Sequence, residues 1–277
     1  WKGYGKPQVN GQFVGFENYR IILTDPNFQE ALGHTLFVVV ASLVIQGPLA
    51  ILFALLLNQK FKGRALIRTL IFVPYVVSEV IVGTGWSLML QPTGAVNAVL
   101  AKFGISGADW IADPKIAIWT LMFIISWKYI GFAVILMIAG MQSIPEDLYE
   151  AAKVDGAGFW RQQWSITLPL LGPTIRMWAF MSIIGSLQLF DLVYIIWGQY
   201  VSSTAGTSTM ATYMVREGRL ANNYGYGSAV AVVIFVISLV IALTYQHIVM
   251  NRDLDGALTD GKRGKRSRGT IVTSEVA

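Results

Sequence analysis

The chain has 277 residues, 54% hydrophobic and only 13% charged, with a net charge of +5 and no cysteine. Soluble domains carry about a quarter charged residues, so a soluble globular enzyme is excluded; the absent thiols exclude disulfides, cysteine nucleophiles and Cys-ligated metal sites. His34 and His247 are too distant in sequence for a helical metal pair, and the basic surplus gathers after Arg252, so neither a metal site nor a nucleic-acid surface is expected.

Residues 1–34 are of mixed polarity and lack the charged, apolar and small-residue parts of a secretory signal. Five apolar stretches follow, at 35–57, 69–90, 116–141, 177–197 and 227–250, in which only Glu79, Lys128 and Asp191 are charged. Each can cross a hydrocarbon layer of about 30 Å at about 1.5 Å per helical residue. Lipid offers no partner for backbone N–H and C=O groups, and the short alternating strands of a barrel are absent. The expectation is an all-α membrane protein, a polytopic helical bundle with five spans. Pro48 and Pro74 should kink the first two spans. Segment 91–115, rich in turn and aromatic residues, reads as an ordered excursion, and 198–226 should hold a short helix near 208–220. The last part, 251–277, reads as a basic tail without apolar periodicity.

Positive residues gather on the cytoplasmic side of a membrane protein. Lys60, Lys62, Arg64 and Arg68 lie between spans one and two, Lys153, Arg161 and Arg176 between three and four, and a further group follows the fifth. The other connections are poorer in cations. The C-terminus is therefore expected in the cytoplasm and the N-terminus outside. An outside start at Trp1 without a signal sequence implies at least one missing N-terminal span, with 1–34 an extracytoplasmic segment and 35–250 the membrane domain. A native five-span chain is the alternative.

The most informative segment lies between spans three and four. Ser143 and Glu146 have the spacing of a capping box, Pro145 suits a first turn, and Glu146, Asp147 and Glu150 fall near the positive end of the helix. Leu148, Ala151, Ala152 and Val154 make a short, weakly apolar face. Gly156 and Gly158 permit a sharp turn, and 159–167 can form a second helix that Pro169 closes. Such a knob cannot bury its own face. It either docks on another protein or rests on its own bundle.

Glu150-Ala151-Ala152, three residues, Gly156, nine residues, then Ile166-x-Leu168-Pro169 matches the EAA loop in identities and gaps. Over almost its whole length the chain resembles permease subunits of binding-protein-dependent ABC importers, in the MalF-type, carbohydrate-uptake branch. Further resembling pieces are 13–19, 68–74, Trp86 with Pro92-x-Gly94 and Asn97, Trp110 with Asp113-Pro114, and Phe190-Asp191. Where many relatives carry Thr-x-Gly-Gly-Pro, this chain has Trp197-Gly198-Gln199-Tyr200. The resemblance implies the MetI-like fold of type I importer permeases and a multi-pass place in a prokaryotic cell (inner) membrane. It implies that loop 143–169 is the coupling helix seated in a separate cytoplasmic ATPase, with Glu150, Ala151, Ala152, Asp155, Gly156, Ile166, Leu168 and Pro169 as coupling residues. The implied partners are a second homologous permease subunit, two copies of the ATPase subunit binding ATP and Mg, and an extracytoplasmic solute-binding protein delivering a sugar or oligosaccharide. A glycerol-phosphate-type ligand is the alternative within the same class.

Ionisable residues within spans face protein or a water-filled path. Gln188 and Asp191, three apart on one expected helix face, with Phe190 and Tyr194, suit a hydroxyl-rich ligand, although for Asp191 an interhelical hydrogen-bond network is the more ordinary reading. Lys128 is expected to pair with Asp191 or Glu79, and Glu79 to face the cavity or a partner subunit. These six residues form the candidate substrate path; none is expected to be catalytic or to bind metal. The nearest approach to an ATP loop, from Gly256 to Gly261-Lys262-Arg263, ends in Arg and follows no strand. No cofactor is expected in this chain, and no enzymatic activity. An ion-coupled secondary transporter using Asp191 and Glu79 is the competing class.

Overall fold

A computed structural model describes residues 13–59 and 61–250, so the basic tail expected at 251–277 lies outside the described residues. Every regular element described is helical. A short α1 (Glu17–Thr24) turns at Asp25 into α2 (Pro26–Ala41). Asp25 accepts the Asn27 N–H at 2.8 Å, and Pro26 occupies the first turn where no helical N–H is lost. A π-helical turn, Ser42–Gln46, leads without interruption into α3 (Gly47–Leu57). The first span therefore runs from Pro26 to Leu57, starting before the expected boundary at residue 35. Pro48 stands in the first turn of α3, one residue after Gly47 closes the π turn, where the wider winding accommodates its ring and missing N–H.

The second span is broken. α4 (Arg64–Val76) contains Pro74, the chain leaves helical geometry at Val77, and α5 (Glu79–Met89) departs at 95°. What reads in sequence as one crossing is thus two half-helices. Among the described residues four helices are long and apolar enough to cross a membrane, or five if this bent pair counts as one span.

The excursion that follows is ordered around Asn97 of α6 (Ala95–Lys102). Its side chain accepts from Trp110 Nε1 at 2.7 Å and donates to the Ala108 carbonyl at 2.9 Å. α7 (Ala117–Gln142) is the unbroken centre of the bundle and carries buried residues along its whole length. α8 (Glu146–Val154), α9 (Phe159–Gln162) and α10 (Leu168–Leu170) build the foot beneath it. α11 (Gly172–Leu187) and the first part of α12 (Asp191–Thr204) form the fourth span, Gly172–Gly198, interrupted at 188–190; α12 itself kinks at Gly198, which takes φ +65°. α13 (Met210–Val215), opened by a Thr209–Thr212 capping box, continues as a π turn Arg216–Leu220, close to the short helix expected there. α14 (Tyr224–Tyr245) is the last span.

Three apolar clusters hold these helices. One joins α2, α5, α7 and α12 through Val38, Val82, Leu121 and Leu192. The second joins α3, α7 and α11 through Ala54, Met137, Leu171 and Trp178. The third joins α1, α2, α13 and α14 through Ile22, Phe28, Tyr213 and Tyr226. α4 lies tightly against α7 at Gly131, where an added Cβ would stand 2.2 Å from the Ile71 carbonyl oxygen. Arg68 and Gln142 line one groove, which places the connection before α4 at the same end of the bundle as the foot.

Candidate functional site

The foot is built by helix ends. The expected Ser143–Glu146 capping box does not form. Ser143 is still in the closing turn of α7 and gives its hydroxyl to the Gly140 carbonyl at 2.7 Å, while Pro145 is the residue that opens α8. Glu146 and Asp147 remain in the first turn, at the positive end of the helix, without a capping hydrogen bond from the Pro145 position. α8 ends where Gly156 takes φ +74°, with Ala157 N–H on the Ala152 carbonyl at 2.8 Å and Gly156 N–H on Lys153 at 3.0 Å. This pair of reverse bonds is a Schellman motif, for which glycine is the unstrained residue.

Side chains then fix the knob. Gln162 Nε2 donates to the Ala157 carbonyl at 2.7 Å, and the Tyr149 and Thr167 hydroxyls meet at 2.9 Å. Thr167 donates onward to Gln163 Oε1 at 2.8 Å. Pro169 does not close the second helix as expected. It sits in the first turn of α10, and the helical path from Phe159 runs through a π turn almost directly into α11. The foot is therefore continuous with the fourth span. No residue of α8 is buried, and Val154 is 88% and Trp164 70% exposed. Of the residues expected to couple, Glu150, Ala151, Asp155, Gly156 and Pro169 are exposed, while Ala152, Ile166 and Leu168 are half-buried.

Between α2, α4, α7 and α11 lies a cavity of about 320 Å³. Ser42 and Gln46 of the π turn face it from one side, Ser182 and Ser186 of α11 from another, and Tyr75, Tyr129, Phe132 and Trp178 supply ring faces and edges. Hydroxyls, an amide and aromatic faces in an otherwise apolar wall can orient a small polyhydroxylated ligand by hydrogen bonding and stacking.

None of the six expected path residues lines this cavity. Gln188 and Asp191 do not share a helix face, because α11 ends at Leu187 and Asp191 starts α12; both side chains are exposed. Phe190 and Tyr194 stack on each other at 5.0 Å. Lys128 makes no ion pair with Asp191 or Glu79. Buried to 3% exposure, it donates Nζ to the Val77 carbonyl at 2.7 Å, at the end of α4. Glu79 accepts instead from the Tyr129 hydroxyl. Sequence reasoning ranked charge above hydroxyls and so missed the cavity. The available signal was two polar pairs spaced by four, Ser42/Gln46 and Ser182/Ser186, each turned to one side of an apolar helix.

The model for binding-protein-dependent transport system inner membrane components matches residues 46–252. The trehalose/maltose transport system permease protein MalF of Thermococcus litoralis is 32% identical over 85% of this chain and 79% of its own length. The arabinooligosaccharides permease AraP of Bacillus subtilis is 32% identical over 83% and 74%. The crystal structure of a bacterial ABC transporter that imports the acidic polysaccharide alginate superposes with a TM-score of 0.80, at 29% identity, over 87% of this chain and 85% of that one. With the cavity, the broken second span and a foot continuous with the fourth, these likenesses leave one assignment. The chain belongs to the family of binding-protein-dependent transport system inner membrane components.

Proposed function

We propose that this chain forms half of the path by which an ATP-driven importer carries a carbohydrate across a prokaryotic cell membrane. In this reading the foot lies in the cytoplasm on a separate ATPase subunit, one of two copies, which bind ATP and Mg. A second homologous permease completes the path, and an extracytoplasmic binding protein delivers the solute. The observation that carries the reading is the foot itself: its apolar residues stand exposed, while hydrogen bonds and a helical connection tie it to α11. A knob of this build converts a push from below into displacement of a span, a rigid-body shift between two packings.

A sugar or oligosaccharide is favoured by two features. Relatives are named for trehalose/maltose and arabinooligosaccharides, and the cavity presents hydroxyl, amide and ring groups rather than charge. Ser42, Gln46, Ser182 and Tyr129 are the residues we assign to the solute path, in place of Gln188 and Asp191. Ion coupling through Asp191 and Glu79 is not favoured, since neither lines the cavity and a foot would then carry no load.

The test is purification of the tagged chain from its native membrane, followed by hydrolysis assays across a sugar panel. We expect an ATPase subunit and a second permease to copurify, and loaded binding protein to stimulate hydrolysis several-fold. Uptake that survives ATP depletion but collapses with an ionophore would overturn the proposal.

A further inference from the structure

The break in the second span leaves helix-end groups inside the bundle, where an unmet backbone group is costly, more so in lipid than in protein. Two neighbours on the unbroken α7 meet it from both sides. Lys128 places its ammonium 2.7 Å from the Val77 carbonyl, at the negative end of α4. Tyr129 gives its hydroxyl to Glu79, in the first turn of α5. The half-helices otherwise lean mainly on different neighbours, although Trp86 of α5 also stands edge-on to Phe123 and Trp127 of α7 at 5.4 and 5.5 Å. α4 is pressed on α7 at Gly131, whereas α5 packs on α12, where a Cβ on Gly83 would meet the Ile195 Cγ2 at 2.7 Å. Tyr129 also lines the cavity. Its ring stands edge-on to Tyr75 at 6.2 Å, Tyr75 stacks on Phe132 at 5.0 Å, and all three face the same space.

We infer that Lys128 and Tyr129 are positioning residues that set the α4–α5 joint, and that Tyr129 transmits the contents of the cavity to it. The second half of this inference rests on the reading of the cavity as the solute path. A ligand hydroxyl at Tyr129 competes with Glu79 for the phenol, and a ring wedged against Tyr75 displaces the same pair. Either way the joint loses one of its two polar holds while Lys128 keeps the other, so α5 gains freedom to turn about the joint, against the Trp86 ring contacts on α7, without separation of α4.

The chain contains no cysteine, so spin labels at cysteines introduced for Leu70 on α4 and Leu88 on α5, both exposed, report the joint directly. The measurement uses the complete importer in lipid nanodiscs, at rest and with nucleotide plus solute-loaded binding protein. The wild type should give one dominant distance at rest and a second on loading. Tyr129→Phe, which keeps the ring, should raise the second population at rest at least fivefold and abolish its dependence on solute. It should also raise solute-independent ATP hydrolysis several-fold while shifting half-saturation by loaded binding protein less than twofold. Glu79→Gln alone, whose amide oxygen still accepts from the phenol, should keep both readouts near wild type, and Lys128→Met should broaden the resting distance. Wild-type distances and solute response in Tyr129→Phe would overturn the inference. Met181→Trp, which fills the cavity, judges the path separately. If it leaves transport intact the path reading fails, while resting distances in Tyr129→Phe and Lys128→Met still decide whether the pair holds the joint.

Discussion

Asp25 receives four hydrogen bonds where the first span begins. Asn27 N and Nδ2 reach one oxygen, and the Tyr213 and Tyr226 hydroxyls reach the other at 2.5 and 3.2 Å. Burial pushes the carboxyl up, but the bonds from Tyr213, Asn27 and Tyr226 outweigh it and hold it below the ordinary carboxylate value. The Tyr213 hydroxyl is pushed far up by burial and by its bond to Asp25, and Arg216 lies over its ring at 5.1 Å. A depressed folded pKa stabilises fully above the unfolded value near 3.9 and loses that contribution as pH falls through the folded one. Tyr213→Phe should therefore cost about 1.5–3 kcal/mol at pH 7, read as a lower Tm of the detergent-solubilised protein. The gap from wild type should narrow as pH falls below about 4; a gap that stays constant down to pH 3 would refute the carboxylate's part. Asp before Pro26 is legible as a helix cap, but nothing local announces tyrosines that close on it from α13 and α14.

Elements were legible wherever periodicity ran unbroken and lost where it stopped. The apolar lengths account for the crossing helices, and Pro74 foretold a bend in the second. A shared face for Gln188 and Asp191 presumed a continuous helix, yet the chain opens at 188–190 because Thr209 Oγ1 supplies the Leu189 carbonyl with a partner at 2.7 Å. Lys128 does the same at Val77. Both partners arrive from elsewhere in the fold, and a window of sequence cannot contain them. The close crossing of α4 and α7 gives the test at this scale. Gly131→Ala should cost about 1–3 kcal/mol, since backbone must move to admit the methyl. Gly85→Ala, with nothing within 4 Å, should stay within about 0.5 kcal/mol. Equal thermal unfolding of the two variants would show that the helices do not touch as described.

At the scale of the whole molecule the EAA spacing announced the foot, and the structure adds the part spacing cannot express, a nearly continuous helical link from Phe159 to Leu187. Gly156→Val forces a β-branched residue to φ +74° and should unseat α8. We expect uptake to fall at least tenfold in Gly156→Val and in Glu150→Lys, at equal membrane insertion, with ATP hydrolysis no longer stimulated by loaded binding protein. Normal uptake in both would detach the foot from transport. Beyond the two polar pairs spaced by four, the cavity left little trace in the sequence, because its walls come from four helices far apart in the chain, each giving only one or two polar groups. The broken second span also bears on how the protein is made. Until α7 leaves the ribosome, the Val77 carbonyl has no ammonium to meet it and Glu79 no phenol. Bare in hydrocarbon, that elbow would be too costly to release, so the second and third apolar segments must partition from the insertion machinery together, as one unit, in an order dictated by a lysine that has yet to be translated when the elbow emerges.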